Sequence, residues 1–458
     1  MQLVEKEILI PARDNQDGLL EYLGQAVAAG LNGDEIPVRV AVTRTDSEGY
    51  HCEVGILSGV DHSKAESIES MFDLRRREYE NNQDFNAALL VPTGIGAEIG
   101  GHSGDAGAVA RLMAASCDNL ITHPNVVNAA DINELPENGL YVEGSVISRL
   151  MMGTVGLQKV RSNRVMMIVD QHTDKMFHEL SINSASAARA ALGLDCPLVV
   201  KMEDRILMRA LFSKSGRAVG QIEFLEYLCE VLEEHRSEYD AVALTSLISV
   251  PERFHSDYFD KDSDMAVNPW GGVEAMLTHA ISMLFNVPSA HSPMMTSSEV
   301  MNLDVGIVDP RKSAEAVSST YLHCILKGLH RSPRVVPDIP IHGDPGLLTV
   351  ANVSCLVIPD GCVGLPTLAA LEQGIPVIAV KENKNCMRNR LEDLPFAPGK
   401  LFIVENYLEA AGIMTALRAG VAVDTVRRPL ADTVVVNARR QHHTEFAPAA
   451  TEERTSRV

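Results

Sequence analysis

The sequence predicts an α/β protein with mainly parallel, doubly wound sheets, arranged as two Rossmann-like domains preceded by a small α+β N-terminal unit. From Phe85 onward, short runs rich in Val, Ile and Leu alternate with amphipathic stretches, which is typical of parallel strands covered by helices on both faces. The chain has 458 residues, of which 46% are apolar, and this is more than one ordinary core accommodates. Several domains are therefore expected.

Residues 1–80 form the predicted α+β unit, with strands at 7–10, 38–43 and 51–57 and a helix at 18–29. Within this unit the charged run 73–80 is predicted to be a solvated helix or a linker. A central α/β domain is predicted at 81–340 and a C-terminal one at 341–436. The polar segment 437–458 has no hydrophobic periodicity and is predicted to be a disordered tail.

Strands in the two larger domains are predicted wherever a short apolar run is bounded by turn residues. These runs lie at 87–91, 119–122, 165–169, 198–201, 241–245, 335–337, 355–358, 377–380 and 401–404. The clearest helix has Trp270, Val273 and Leu277 at i, i+3 and i+7, directly after an Asn-Pro start signal.

Composition restricts the partners and the location. Forty Lys and Arg against 61 Asp and Glu give a net charge of −21, which repels nucleic acids and anionic membranes. The expected partner is a small anionic metabolite, with no nucleic acid, no membrane and a possible homo-oligomer. The N-terminus lacks the basic start and apolar run of a secretory signal, so a cytoplasmic location is expected. Eight cysteines without a C-x-x-C pair are expected to be reduced thiols.

A glycine-rich loop at 91–105 joins a predicted strand to a predicted helix. Glycine turns at a helix N-terminus direct backbone amides at anions, so this loop is predicted to bind a phosphate or carboxylate. Its spacing, G-x-G-x-x-x-G, matches neither the dinucleotide fingerprint nor the P-loop, and a tight strand–helix crossover is the alternative. The candidate substrate-binding residues are Thr93, Gly94, Gly96, Gly100 and Gly101, and the candidate catalytic residue is His102.

A second loop, at 122–131, follows the next predicted strand. Consecutive strand ends in a doubly wound sheet open onto one crevice, so this loop is expected to face the first. His123 is a candidate catalytic residue, and Asn125 and Asn128 are candidate substrate-binding residues. The alternative is an ordinary Pro/Asn turn.

A third candidate segment opens the helix that contains Trp270. Gly271 and Gly272 would destabilise the first helical turn relative to Ala, which suggests close approach by a ligand or by another backbone. Both are predicted to bind substrate. Glu274 is a candidate catalytic residue and His279 a further acid–base candidate, although a Glu at a helix start is often only a dipole partner.

The fourth segment has the order strand, Gly-Cys, helix and strand between 355 and 380. Pro366 in the first helical turn and Gly374 just past the last indicate a βαβ unit. Cys362 is predicted to lie at the helix N-terminus, where a thiolate is stabilised, and to be a catalytic base or nucleophile. Gly364 is predicted to bind substrate. The alternative for Cys362 is a buried, inert thiol.

Two polar clusters remain open. Asp338, His342 and Asp344 lie on a Pro-bounded loop where they could bind a metal or transfer a proton, and no metal ligand is assigned. Lys381 follows a predicted strand and could supply a cation to an anionic substrate.

From the 92–105 loop through 123–131 to 361–380, the chain resembles a bacterial family known as a domain of unknown function, a resemblance that implies no activity. The pattern G-C-x-x-x-P-x-L from Gly361 to Leu368 resembles the second cysteine loop of aspartate/glutamate racemases, which implies proton transfer by Cys362. Gly100-Gly101-His102 resembles a turn of two-domain glycosyltransferases and sugar-nucleotide epimerases, and 365–380 resembles their nucleotide-binding helix and strand.

Three functional hypotheses follow. The preferred one is a metabolic enzyme for a small anionic substrate, specifically a cofactor-independent isomerase, racemase or lyase of an amino acid or carboxylate. In it Cys362 acts as base or nucleophile, while His123 or His102 and loop amides hold the anion. The alternatives are a glycosyltransferase-like or sugar-nucleotide epimerase-like enzyme with an interdomain site, and a noncatalytic metabolite-binding protein.

Overall fold

The structure, a computed structural model, describes residues 1–13, 18–61, 65, 68–102, 104–132, 135–261, 267–302, 304–318, 321–337, 339 and 346–436. Within these residues the strands are β1 (Gln2–Pro11), β2 (Glu35–Thr45), β3 (Gly49–Ser58), β4 (Asn86–Leu89), β5 (Asn119–Thr122), β6 (Gly139–Tyr141), β7 (Gly156–Gln158), β8 (Val165–Val169), β9 (Leu198–Lys201), β10 (Leu207–Phe212), β11 (Ala218–Glu223), β12 (Ala241–Ser249), β13 (Ser289–Met294), β14 (Arg334–Val336), β15 (Leu347–Leu348), β16 (Val353–Pro359), β17 (Val363–Gly364), β18 (Val377–Val380) and β19 (Leu401–Val404).

Over the same residues the α-helices are α1 (Leu19–Ala29), α2 (Gly107–Ala114), α3 (Pro124–Val127), α4 (Gly144–Met151), α5 (Lys175–Leu192), α6 (Leu225–Glu234), α7 (Glu252–Phe259), α8 (Gly271–Phe285), α9 (Ser298–Met301), α10 (Ser313–Val317), α11 (Leu322–His330), α12 (Leu365–Gln373) and α13 (Tyr407–Arg418). Short 3-10 segments lie at Ala130–Ile132, Pro310–Lys312, Val350–Asn352, Leu391–Asp393 and Val423–Val426.

A parallel sheet carries the strands that lead to the candidate site. Its order is β19-β18-β16-β4-β5-β6, and each neighbouring pair in this order is parallel. The strands β4, β5 and β16 are buried along their whole length. Helices cover both faces of such a sheet, which is why these strands are mostly apolar without alternation.

A mixed sheet packs beside the parallel one. Its order is β17-β2-β3-β1-β11-β10-β12-β8-β9, with β13 also paired to β12. The pairs from β17 to β10 are antiparallel, whereas the pairs beyond β10 are parallel. A small antiparallel sheet has the order β14-β7-β15.

The predicted α/β class with mainly parallel sheets is confirmed. Each strand predicted after Phe85 overlaps an observed strand, and the predicted helix at 18–29 corresponds to α1. Residues 73–80 were predicted to be a solvated helix or a linker. The helix is wrong, because these described residues contain none. Instead, the Arg77 guanidinium donates to the carbonyls of Val353 and Gln373 and so attaches this segment to the parallel sheet.

The predicted domain boundaries do not divide the sheets. Strand β1 of the predicted N-terminal unit pairs with β11, and β16, beyond the boundary at 340/341, pairs with β4. Each sheet therefore combines segments that are far apart in the sequence. The predicted tail at 437–458 lies outside the described residues.

Helix α8 connects the two large sheets. On one side it packs against β2 and β11 of the mixed sheet, and on the other against α4, which follows β6 of the parallel sheet. The Arg39 guanidinium donates to the Gly272 carbonyl and anchors the start of α8 to β2. The candidate site forms where α8 crosses the edge of the parallel sheet.

Candidate functional site

Side chains from three adjacent strand ends meet at the carboxyl edge of the parallel sheet. Thr93, His123 and Glu143 follow β4, β5 and β6, which are neighbours in that order. Parallel strands end at the same edge, so the three loops open onto one space. His123 precedes α3, and Glu143 is the N-cap of α4, where its carboxylate accepts the N–H groups of Ser145 and Val146.

Helix α8 forms the opposite wall with Gly271, Glu274 and His279. Gly272 has a different environment, since a Cβ at this position would overlap the carbonyl oxygen of Ala218 in β11. Of the two explanations for the paired glycines, close approach to another backbone therefore holds for Gly272, which allows the helix to pack on the sheet.

Two cavities meet between these walls. The first, of about 130 Å³, lies between α8, β13 and the loops after β4 and β5. The second, of about 160 Å³, lies between β2, α4 and the connection from β16 to α12. The residues that line both cavities define the junction: Thr93, His123, Gly144, Ala275 and His279.

Glu143 and His279 face each other at the junction. Glu143 Oε1 lies 2.5 Å from His279 Nδ1 and accepts the Thr278 hydroxyl at 3.2 Å, while Oε2 accepts the Ser145 N–H at 2.8 Å. Burial opposes ionisation of Glu143, but His279 and the Ser145 donors outweigh it and lower the pKa of the carboxyl below its ordinary value. Because Nδ1 faces an ionised carboxylate, Nε2 is the ring nitrogen left for a ligand.

His123 is a neutral ring at the same junction. Burial, opposed by the nearby Glu143 charge, lowers its pKa to about 4. Its Nε2 accepts the N–H of Val91 at 3.1 Å, so the neutral ring carries its proton on Nδ1. At neutral pH His123 therefore offers a hydrogen-bond donor and not a base.

A further histidine, His291 of β13, lines the first cavity. Its Nε2 lies 2.7 Å from the Ser246 hydroxyl, and its Nδ1 lies 3.9 Å from Glu274 Oε2. The Ser246 hydroxyl is buried beside the Met208 sulfur and does not line either cavity. This Ser-His-Glu arrangement thus presents no nucleophile to a ligand, whereas Glu274 and His291 are polar groups of the first cavity.

The environment of Cys362 disfavours the predicted thiolate. Cys362 lines the second cavity but is only 2% exposed, and burial raises the pKa of its thiol well above the ordinary value, with Cys386 and Asp360 acting in the same direction. The residue precedes Gly364, the N-cap of α12, and therefore lies outside the first helical turn. The helix N-terminus does not produce a thiolate here.

Cys362 is accordingly expected to react with iodoacetamide at least about tenfold more slowly than the partly exposed Cys386, because only an accessible thiolate is alkylated. Labelling rates of the two peptides between pH 7 and 9, followed by mass spectrometry, test this. Faster labelling of Cys362 than of Cys386 would restore the thiolate hypothesis.

A carboxylate within the glycine-rich loop, that of Asp105, accepts the backbone N–H groups of the loop. Gly100 and His102 donate their N–H groups to Asp105 Oδ1 at 2.9 and 3.2 Å, so Asp105 takes the place predicted for an external anion. Burial, opposed by these hydrogen bonds, raises the pKa of Asp105 to about 6. The predicted glycines of this loop, Gly94, Gly96, Gly100 and Gly101, line neither cavity.

His102 lies behind this loop, away from both cavities. It is 1% exposed, its Nδ1 lies 3.3 Å from the Tyr258 hydroxyl, and burial lowers its pKa to about 4. A ligand in either cavity does not reach the ring, so the structure does not place His102 where its predicted catalytic role requires.

The predicted asparagines line the first cavity and also support its walls. Asn125 Nδ2 donates to the carbonyls of Val91 and Gly100, and Asn128 Oδ1 accepts the Tyr141 hydroxyl at 3.0 Å. Gly364 lines the second cavity at the start of α12.

Four polar candidates remain. Asp338, His342 and Asp344 are outside the described residues. Lys381 is paired with Glu405 at 3.0 Å on the surface and lines neither cavity.

Three site residues escape the sequence prediction: Glu143, Arg149 and His291. Glu143 had a usable signal, since it follows a short apolar run and precedes Gly-Ser at a helix start, just as His123 ends the preceding strand. Arg149 and His291 had none, because their place in a cavity wall depends on which elements pack together.

The region matched by a known family includes all five junction residues. A family profile described as a protein of unknown function, DUF3326, matches residues 86–427. The chain belongs to this family. The predicted membership of a bacterial domain-of-unknown-function family is thereby confirmed. An uncharacterized lipoprotein of Synechococcus sp. (strain ATCC 27144 / PCC 6301 / SAUG 1402/1) is 32% identical over 344 residues, covering 74% of this chain and 92% of that protein. No solved structure is significantly similar to the chain.

The expected cytoplasmic location is contradicted by this relative, which is named a lipoprotein. The expectation depended on the missing secretory pattern at the N-terminus, and the name of a relative that is similar over 344 residues disagrees with it. None of the helices in the described part of the chain combines the length and apolarity that crossing a membrane requires.

Proposed function

We propose that this protein is an enzyme that removes a proton from a carbon atom of a small organic anion, as an isomerase, racemase or lyase of a carboxylate or amino acid. The observation that carries the proposal is the contact between Glu143 Oε1 and His279 Nδ1 at the junction of the two cavities. A carboxylate next to Nδ1 of a histidine orients the ring and keeps the proton of the neutral ring on Nδ1, which leaves Nε2 as the proton acceptor. His279 therefore takes the role that the sequence suggested for Cys362.

Two of the junction residues, His279 and His123, have separate tasks in this proposal. His279 Nε2 removes a proton from a carbon next to a carbonyl or carboxyl group, and the electron pair moves onto the adjoining oxygen. The Nδ1–H of neutral His123 donates to that oxygen, since a neutral imidazole can stabilise a developing enolate. The proton then returns to the same carbon or a neighbouring one, or a leaving group departs.

Two other functions would give different results in a test for proton exchange. A glycosyltransferase-like or epimerase-like enzyme would turn over a nucleotide sugar, and a metabolite-binding protein would bind a ligand without altering it.

Deuterium incorporation from D2O separates these functions. Purified protein is incubated with 2-oxo, 2-hydroxy and 2-amino carboxylates, and NMR follows the loss of protons at carbons 2 and 3. The proposal predicts exchange in at least one of the carboxylates that bind. Binding without exchange across the panel would favour a binding protein, and turnover of a nucleotide sugar alone would favour the transferase alternative.

A further inference from the structure

The second cavity has a largely apolar wall. Side chains from separate elements meet there, among them Met71, Leu90, Ile95, Met283 and Ile358. An apolar cavity of about 150 Å³ holds a benzene-sized molecule. At about 160 Å³ the second cavity has room for an aliphatic or aromatic group of similar size.

One cation of this wall has an unused donor. Arg149, in the last turn of α4, donates from Nη2 to Asn286 Oδ1 at 2.8 Å, whereas its Nη1 is buried and has no hydrogen-bond partner among the described residues. A buried donor without a partner is costly, and a guanidinium stays charged. This geometry favours an anion that the ligand brings with it.

The other arginines of the same wall are already engaged. Arg39 binds Glu5 and the Gly272 carbonyl, and Arg217 binds Glu53 at 2.7 Å and Glu5 at 3.3 Å. Two arginines and two glutamates form this network, so their charges balance. Arg149 is thus the arginine of this wall with an unused donor, while Glu69 and Glu143 lie close enough to interact electrostatically with its guanidinium and Glu69 is itself paired with Arg75.

We infer that the second cavity binds an organic anion that carries an apolar group, with Arg149 on the carboxylate or phosphate and the apolar side chains around the hydrocarbon part. The inference rests on the proposed function only in bringing the reacting carbon to the junction, next to His279. It narrows the substrate class from small anions in general to amphipathic anions.

Calorimetric titration of the His279→Asn variant tests binding without turnover. The probes are acetate, hexanoate, hexyl phosphate and the uncharged hexanamide. Hexanoate is expected to bind at least about tenfold more tightly than both acetate and hexanamide, because it alone of these three has the charge and the hydrocarbon. Hexyl phosphate shows which anionic group Arg149 prefers.

Two substitutions locate the site. Adding Arg149→Met should remove the preference for hexanoate over hexanamide, whereas Arg149→Lys should keep part of it. Arg209→Met is the matched control, since Arg209 pairs with Glu223 on the surface and lines neither cavity. Adding Met283→Ala enlarges the second cavity and should move the optimum among linear carboxylates to a longer chain.

Equal affinity for hexanoate and hexanamide would overturn the anion contact, and equal affinity for hexanoate and acetate would overturn the apolar one. Both comparisons are made on the His279→Asn variant without any change at Arg149, so they can be completed even if an Arg149 variant misfolds. If hexanoate binds as expected but the wild-type protein exchanges no carboxylate, the proposed function is contradicted and the inference about the second cavity stands. If a carboxylate is exchanged whose affinity Arg149→Met does not change, this inference fails alone.

Discussion

The His279→Asn variant is expected to lose about 10²- to 10⁴-fold of the deuterium-exchange rate that the wild-type protein shows with its best carboxylate, the usual contribution of a general base. Asn presents an N–H near the position of Nδ1 and so can still contact Glu143 Oε1. It has no nitrogen at the position of Nε2. The pairing is kept while the proposed base is removed, and NMR measures the rate at saturating ligand.

The matched control is His235→Asn. His235 Nδ1 lies 2.8 Å from Glu238 Oε1, an equivalent pair on the surface that lines neither cavity. This variant should exchange at the wild-type rate. Full exchange by His279→Asn would show that His279 is not the base, and calorimetry on the same sample separates lost chemistry from lost binding.

The Gly272→Val variant is expected to lower the free energy of unfolding by about 3 kcal/mol or more, at the upper end of overpacking effects. A Cβ at Gly272 would overlap backbone atoms of Ala218 and Val219, which the β10–β11 ladder holds in place. Helix α8 would have to move away from the mixed sheet and carry His279 with it. Chemical denaturation followed by circular dichroism measures the change.

Gly107→Val is the control for this substitution. Gly107 begins α2, and no heavy atom of the described residues lies within 4 Å of a Cβ built there, apart from the neighbours along its own chain and helix. Its unfolding free energy should stay within about 0.5 kcal/mol of the wild type, as for a surface substitution. Equal stability of both variants would mean that α8 does not need the glycine contact with β11.

Strand positions were predictable because local composition reports burial. The runs at 119–122, 165–169, 377–380 and 401–404 coincide with β5, β8, β18 and β19. Strand pairing was not predictable in the same way. Nothing local to β16 indicates that its neighbours are β4 and β18, so the predicted boundary at 340/341 fell inside a region that the parallel sheet joins.

In the candidate site, too, local features were predictable and contacts between distant segments were not. His123 and Glu274 were found because strand ends and helix starts have sequence signals. The burial of Cys362, which disfavours a thiolate, was not predictable from its own segment because it depends on the tertiary packing. The local sequence of Glu143 marks only a strand end and a helix start, and its contact with His279, 136 positions later, makes it a candidate for chemistry.

By itself the sequence determined the α/β class, the strand positions and the family, because apolar periodicity and turn residues act over a few neighbouring positions. Only the tertiary structure decided which polar groups meet. The pairing of Glu143 with His279, the unused donor of Arg149 and the burial of Cys362 all arise where α8 and α4 pack between two sheets. Ionisation and hydrogen bonding depend on what surrounds a group in space, and that environment is assembled from segments that are distant in the chain.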